Sequence, residues 1–134
     1  MAMHFVNWWA VMAAAISMFI LGGLWYSPVL FGRVWMSENG FRDSDRPNLA
    51  KILGLSLVIS LIMAANLAFF LADAKTTAAW GATAGLLAGL GWVALSVAMI
   101  ALFERRSWRY ILINGGYMTT AFVLMGLILG AWRV

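Results

Sequence analysis

Hydrophobic positions fall into four unbroken stretches, at roughly residues 5–27, 48–72, 78–103 and 108–132, each 23 to 26 residues long with no Asp, Glu or Arg in its interior. As helices they reach about 35 to 39 Å at about 1.5 Å per residue, enough to cross a hydrocarbon core of about 30 Å with some tilt. Spanning strands would alternate polar and apolar residues over about ten positions, whereas these stretches are apolar on every face. The pattern therefore predicts an all-α integral membrane four-helix bundle, with residues 1–134 forming a single transmembrane domain.

Composition sharpens this. Hydrophobic residues make up 64% of the chain and charged residues 10%, where a soluble domain needs about a quarter charged to clothe its surface. Trp8, Trp9, Trp80 and Trp132 fall at one set of span ends, and Trp25, Trp35 and Trp108 with Tyr26 and Tyr110 at or beyond the other. That is where interfacial aromatics belong. Only Trp92 sits mid-span. The first stretch lacks an N-terminal basic region and runs into Trp25, Tyr26 and Pro28, unlike a cleavable signal peptide.

The net charge of +4 is a matter of topology. Arg33, Arg42, Arg46, Lys51, Arg105, Arg106 and Arg109 border the first and third connections, against Lys75 and Arg133 on the other side. By the positive-inside rule those connections face the cytoplasm and the ends of the chain face out, with too strong a bias for dual-topology insertion. So placed, the basic residues suit anionic lipid head groups; a nucleic-acid partner is not expected.

Between Ser27 and Pro47, Val29 to Met36 puts Leu30, Phe31, Val34 and Trp35 on one helical side and Arg33 and Ser37 on the other, predicting a short interfacial helix on the cytoplasmic leaflet that ends at Gly40. Asp43, Ser44, Asp45, Arg46 and Pro47 offer cap and first-turn chemistry for the second span. The tight connection from Asp73 to Thr77 makes spans two and three an antiparallel hairpin. Gly81, Gly85 and Gly89 on span three and Ser56, Ser60, Ala64, Ala68 and Ala72 on span two repeat every four residues. Small-residue stripes let backbones approach in lipid, so these two predict that spans two and three dock on each other. Gly126 and Gly130 on span four are left for a second helix pair or a subunit contact.

No titrating group lies inside a span, which argues against proton-coupled export. With no Cys there is no thiolate or disulfide chemistry, and the lone His4 has no partners spaced for a metal site. No cofactor or metal is expected. Neutral polar groups remain: Asn114, Tyr117 and Thr120 follow one another at helical spacing on span four, with Ser96 and Trp92 on span three at a similar depth. They serve either as interhelical hydrogen bonds or as a polar pocket in which Asn114 and Tyr117 orient a small solute against Trp92. Asn7 and Asn66 suggest a smaller polar contact toward the outer face. Glu104 ends span three against the helix dipole, and an ion-pair cluster with Arg33, Arg105, Arg106 and Arg109 would compensate for it.

Several of these residues form ordered motifs. Asn7-Trp8, Gly22-Gly23-Leu24-Trp25-Tyr26-Ser27-Pro28 running on to Phe31-Gly32 and Trp35, Phe103-Glu104, and Asn114-Gly115-Gly116-Tyr117 through Met125-Gly126 to Trp132 resemble the bacterial membrane family called domain of unknown function 1761. The resemblance spans nearly the whole chain and implies a small bacterial integral membrane protein, with no established activity. The leading expectation is non-enzymatic binding or passage of a small neutral molecule or lipid through the polar pocket of a homo-oligomer in the bacterial inner membrane. The rival is a structural or accessory subunit docking a partner membrane protein through the Gly126 and Gly130 face. An enzyme using Glu104 with Tyr117 or Arg109 has too few titrating groups to be favoured.

Overall fold

A computed structural model describes residues 5–42, 44–45 and 47–133 of the chain. Among them lie five helices and no strand: α1 (Trp8–Trp25), α2 (Gly32–Asn39), α3 (Leu49–Phe70), α4 (Ala78–Phe103) and α5 (Trp108–Ala131). All but α2 are long and apolar enough to cross a membrane. Each long helix starts where a short polar side chain takes up a free backbone N–H. Asn7 accepts from Trp9 at 3.0 Å, Asn48 from Lys51 at 3.1 Å, Thr77 from Trp80 at 3.1 Å and Ser107 from Tyr110 at 3.2 Å. Asn48, not the preceding acidic run, therefore caps α3; Asp45 instead accepts from the Arg42 N–H at 2.8 Å. Asp43, Arg46 and His4 lie outside the described residues.

The helix after α1 begins three residues later than its apolar pattern suggests. The chain first folds back in a tight turn, with Phe31 N–H donating to Trp25 O at 3.0 Å and Gly32 N–H to Ser27 O at 2.8 Å. Gly32 is required there, because a Cβ would run into the Tyr26 carbonyl. The far end closes at Gly40 as expected. Gly40 takes φ +70°, the Phe41 N–H reaches back to Met36 O, and the Phe41 ring meets Trp35 at 5.3 Å.

The long helices stand in the order α3, α1, α5, α4, each packed on its neighbour in that row. The expected docking of α3 on α4 does not occur; their small-residue faces find different partners. Gly81 and Gly126 approach so closely that a Cβ on either would strike the other's carbonyl, Gly85 lies against the Phe122 backbone, and Gly130 against Thr77. α5 brings its own glycines, Gly126 and Gly130, to this face, whereas the α3 stripe offers only Ser and Ala, whose Cβ atoms hold a neighbouring backbone further off. On α3, Ser60, Ala64 and Ala68 are buried within the α1–α3–α5 core, beside Ala10, Ala14 and Met18 of α1, while Ser56 is half-buried and accepts the Ser60 hydroxyl at 2.8 Å. Gly126 and Gly130 are thus buried inside the bundle and present no face to a subunit or partner.

Within α4, Gly89–Ala94 is a π-helical turn. The residues buried toward α5 run Gly81, Gly85, Gly89 and then Ala94, a step of five instead of four. Ala94 then meets Gly115, whose added Cβ would stand 3.4 Å from the Ala94 Cβ. An uninterrupted α-helix would put Trp92 or Val93 on that face. The wide turn carries them off it, and Trp92 is 70% exposed.

Candidate functional site: a closed polar layer and an open groove

At the α2 end of the bundle, α1 and α5 exchange large side chains for glycines. Tyr117 of α5 fills the space over Gly22, where a Cβ would lie 2.9 Å from its hydroxyl, and Trp25 of α1 fills the space over Gly116, where a Cβ would lie 3.1 Å from the indole. Each aromatic also donates a hydrogen bond across the interface: Tyr117 Oη to Met18 O at 2.9 Å, and Trp25 Nε1 to Ile113 O at 2.9 Å. The adjacent Tyr26 Oη donates to Asn114 Oδ1 at 2.6 Å. Rings continue outward from this layer, Tyr117 to Tyr26 at 5.4 Å, Tyr26 to Trp35 at 5.0 Å and Trp25 to Phe31 at 4.8 Å, so α2 is fastened to the bundle by edge contacts.

Asn114 and Tyr117 are therefore engaged with α1, and the other residues expected around them lie elsewhere. Ser96 is exposed and returns its hydroxyl to the Trp92 carbonyl; Thr120 is exposed, and the exposed Trp92 lies off the face turned to α5. No pocket forms among these five. The outer pair also separates: Asn7 caps α1, while the exposed Asn66 makes no hydrogen bond among the described residues.

The ion-pair cluster is likewise not formed. Glu104 is exposed and makes no ion pair with a described residue, and Arg33, Arg105 and Arg109 are exposed too. The α2 segment is held instead by Arg106, which donates to Asn39 Oδ1 at 2.6 Å and Glu38 O at 3.4 Å while its guanidinium lies 3.8 Å over the Tyr110 ring. Beside it Glu38 Oε1 is buried without a hydrogen-bond partner among the described residues. The dipole problem at the end of α4 is met by backbone geometry: Arg106 N–H bonds Ala101 O at 2.9 Å and Arg105 N–H bonds Leu102 O at 3.1 Å, with Arg105 in the left-handed region at φ +59°.

The opposite end is tied by charge. Asp73 accepts from the Thr76 hydroxyl at 2.9 Å and from the Lys75 and Thr76 N–H groups at 2.9 and 2.8 Å. Those bonds, the Thr76 hydroxyl first, hold its carboxyl below the usual range. Arg133, just after α5, donates to Leu71 O at 3.0 Å and to Asp73 O.

Because α3 and α4 do not dock, a groove of about 610 Å³ lies between them. Its walls are Met63, Asn66 and Phe70 on α3 and Trp80, Ala84 and Trp92 on α4, and the buried Phe122 of α5 forms part of its floor. The volume falls within the range of about 300 to 1,000 Å³ typical of small-molecule sites. No charged residue lines it, and the Asn66 carboxamide is its sole side-chain amide. Trp92 stands out by its mid-span position and Asn66 as half of an expected contact with Asn7, but neither signal points to the groove, which exists through the choice of helix partners.

Neither curated proteins nor solved structures give a match to the chain. Within the ordered motifs, Trp25, Tyr26, Gly32, Asn114, Gly116 and Tyr117 interlock α1, α2 and α5, and Gly115 and Gly126 are where α5 touches α4. Over residues 9–130, nearly its whole length, the chain matches and belongs to the family described as protein of unknown function, DUF1761.

Proposed function

We propose that this protein is a non-enzymatic membrane bundle that binds a small, membrane-dissolved, lipid-like molecule in the groove between α3 and α4. The observation that carries this reading is the groove itself, apolar, open at the perimeter and lined by an amide with no hydrogen-bond partner among the described residues. A polar group left bare toward hydrocarbon is costly, and a bound molecule would relieve it. The π-turn supports the reading as well, because such turns recur at functional sites and this one delivers Trp92 to the groove wall. The polar layer at Asn114 and Tyr117 is assigned to holding the bundle together, since its groups bond α1. The same reading places the chain in the cytoplasmic membrane of a bacterium, on the strength of its resemblance, with the α2 and Glu104 connections inside, on the strength of its basic residues.

The test is native mass spectrometry of the protein purified in mild detergent, beside the Ala84→Trp variant, which fills the groove. Retained lipid-like adducts on the wild type and their loss from the variant are expected. Equal adducts on both, or none on either, would overturn the proposal. So would cross-linking in membranes that finds α3 and α4 covered by a stoichiometric protein partner or a second copy.

A further inference from the structure

Resting on that reading, we infer that the groove selects an uncharged amphiphile, a single chain bearing a hydroxyl or ester head, held in one leaflet with its head at Asn66. Three features on the groove wall carry this. The first is length. From Trp80 to Trp92 the α4 wall covers twelve residues, about 18 Å, against a hydrocarbon core of about 30 Å. Such a site starts at one surface and stops a little beyond the middle, which suits a chain anchored in a single leaflet.

The second is polarity along that length. Asn66 lies four residues before the end of α3, about 6 Å below it, and Trp80 lies two residues into α4 at the same end. Beyond them the walls are Ala84, Leu87, Ala88 and Val93, closing at Trp92. The carboxamide and the Trp80 indole thus lie near the surface that carries the Asp73 connection, with an apolar run beneath that ends at the Trp92 indole: a head above a tail. A carboxamide offers two donors and an acceptor, matching a hydroxyl or ester.

The third is charge. The lining holds no Asp, Glu, Lys or Arg. At the adjoining rim the Asp73 carboxylate is occupied by Thr76 and Lys75 N–H groups, and the Arg133 guanidinium by the Leu71 and Asp73 carbonyls. An ionised head drawn against Asn66 would leave water without a counter-charge in the lining, since the exposed Lys75 of the connection is not among the lining residues.

The experiment uses the full chain in phosphatidylcholine nanodiscs doped with either a photoactivatable monoacylglycerol or the photoactivatable fatty acid of the same chain, read by peptide mapping. The monoacylglycerol is expected to label α3 and α4 peptides more strongly than the ionised fatty acid. Asn66→Leu, at an exposed position, should weaken its labelling about threefold to tenfold, the value of one hydrogen bond in a membrane, and Asn66→Gln should restore it in part. Equal labelling by both probes, or indifference to Asn66→Leu, would overturn this inference and leave groove binding standing. Labelling of α3 and α4 by neither probe would remove both.

Discussion

Gly22 and Tyr117 make a pair whose two halves can be tested against each other. A methyl group at position 22 would stand 2.9 Å from the Tyr117 hydroxyl, which itself bonds Met18 O. Gly22→Ala should therefore cost about 1 to 3 kcal/mol through overpacking and loss of that bond, and Tyr117→Phe about 0.6 to 1.7 kcal/mol. Because removing the hydroxyl also makes room for the methyl, the double variant should lose clearly less than the sum, in thermal melts in detergent; strict additivity would mean the two do not share the space. Arg105 offers the opposite sign. It holds a left-handed conformation that costs an L-residue about 1 to 2 kcal/mol, so Arg105→Gly should raise stability by about 1 kcal/mol, and a lowered melting temperature would refute the cap geometry. Asp73 supplies a pH dependence. Its carboxyl titrates below its ordinary value of 3.8, so its contribution to the α3–α4 connection is complete above that value and disappears as pH falls through the lowered one. The protection of the Lys75 and Thr76 amides, measured against their intrinsic exchange rates at each pH, should be lost over that acid window in the wild type, and already be absent at neutral pH in Asp73→Ala.

At the scale of the helix, the π-turn in α4 makes a one-residue deletion harmless in one place and harmful in another. Gly89 and Ala94 both face α5 although five residues separate them. Deleting Gly91, which has open space around it, leaves them four apart on an ordinary α-helix with the same face turned to α5. Deleting Leu87 instead leaves Gly89 three residues after Gly85, about 100° off the face it shares with Gly85, and brings Leu90 against α5 in its place. The Gly91 deletion should insert and melt close to the wild type and the Leu87 deletion should not; similar losses would refute the register argument. The four long helices were legible to within a few residues of their ends, because lipid tolerates neither a charge nor a bare backbone over such a length. The turn before Gly32 and the π-turn were not. Both arise from contacts with other segments, Tyr26 carbonyl against Gly32 and Ala94 against Gly115, that no local period announces.

For the whole bundle, what escaped the sequence was the choice of partners. A stripe of small residues states that a helix will be approached closely, not by which neighbour, so the chain's own hairpin looked like the natural pair. The candidate site moved with that choice: Asn114 and Tyr117 are closed against α1, while Asn66 and Trp92 line the space that the undocked hairpin leaves. The absence of native cysteine makes this arrangement directly testable. Cysteines at Ala94 and Gly115 would have Cβ atoms about 3.4 Å apart and should join readily under mild oxidation, whereas cysteines at Met63 and Ala88, on opposite walls of the groove, should not. The reverse outcome would restore the hairpin pairing. The row α3, α1, α5, α4 also has a bearing on biogenesis. Of these four, the two central helices come first and last in chain order, so the α1–α3 pair and the glycine face of α4 have no common partner until α5 is made. Synthesis stalled before α5 would leave an intermediate whose two packed faces cannot meet, a natural substrate for membrane quality control.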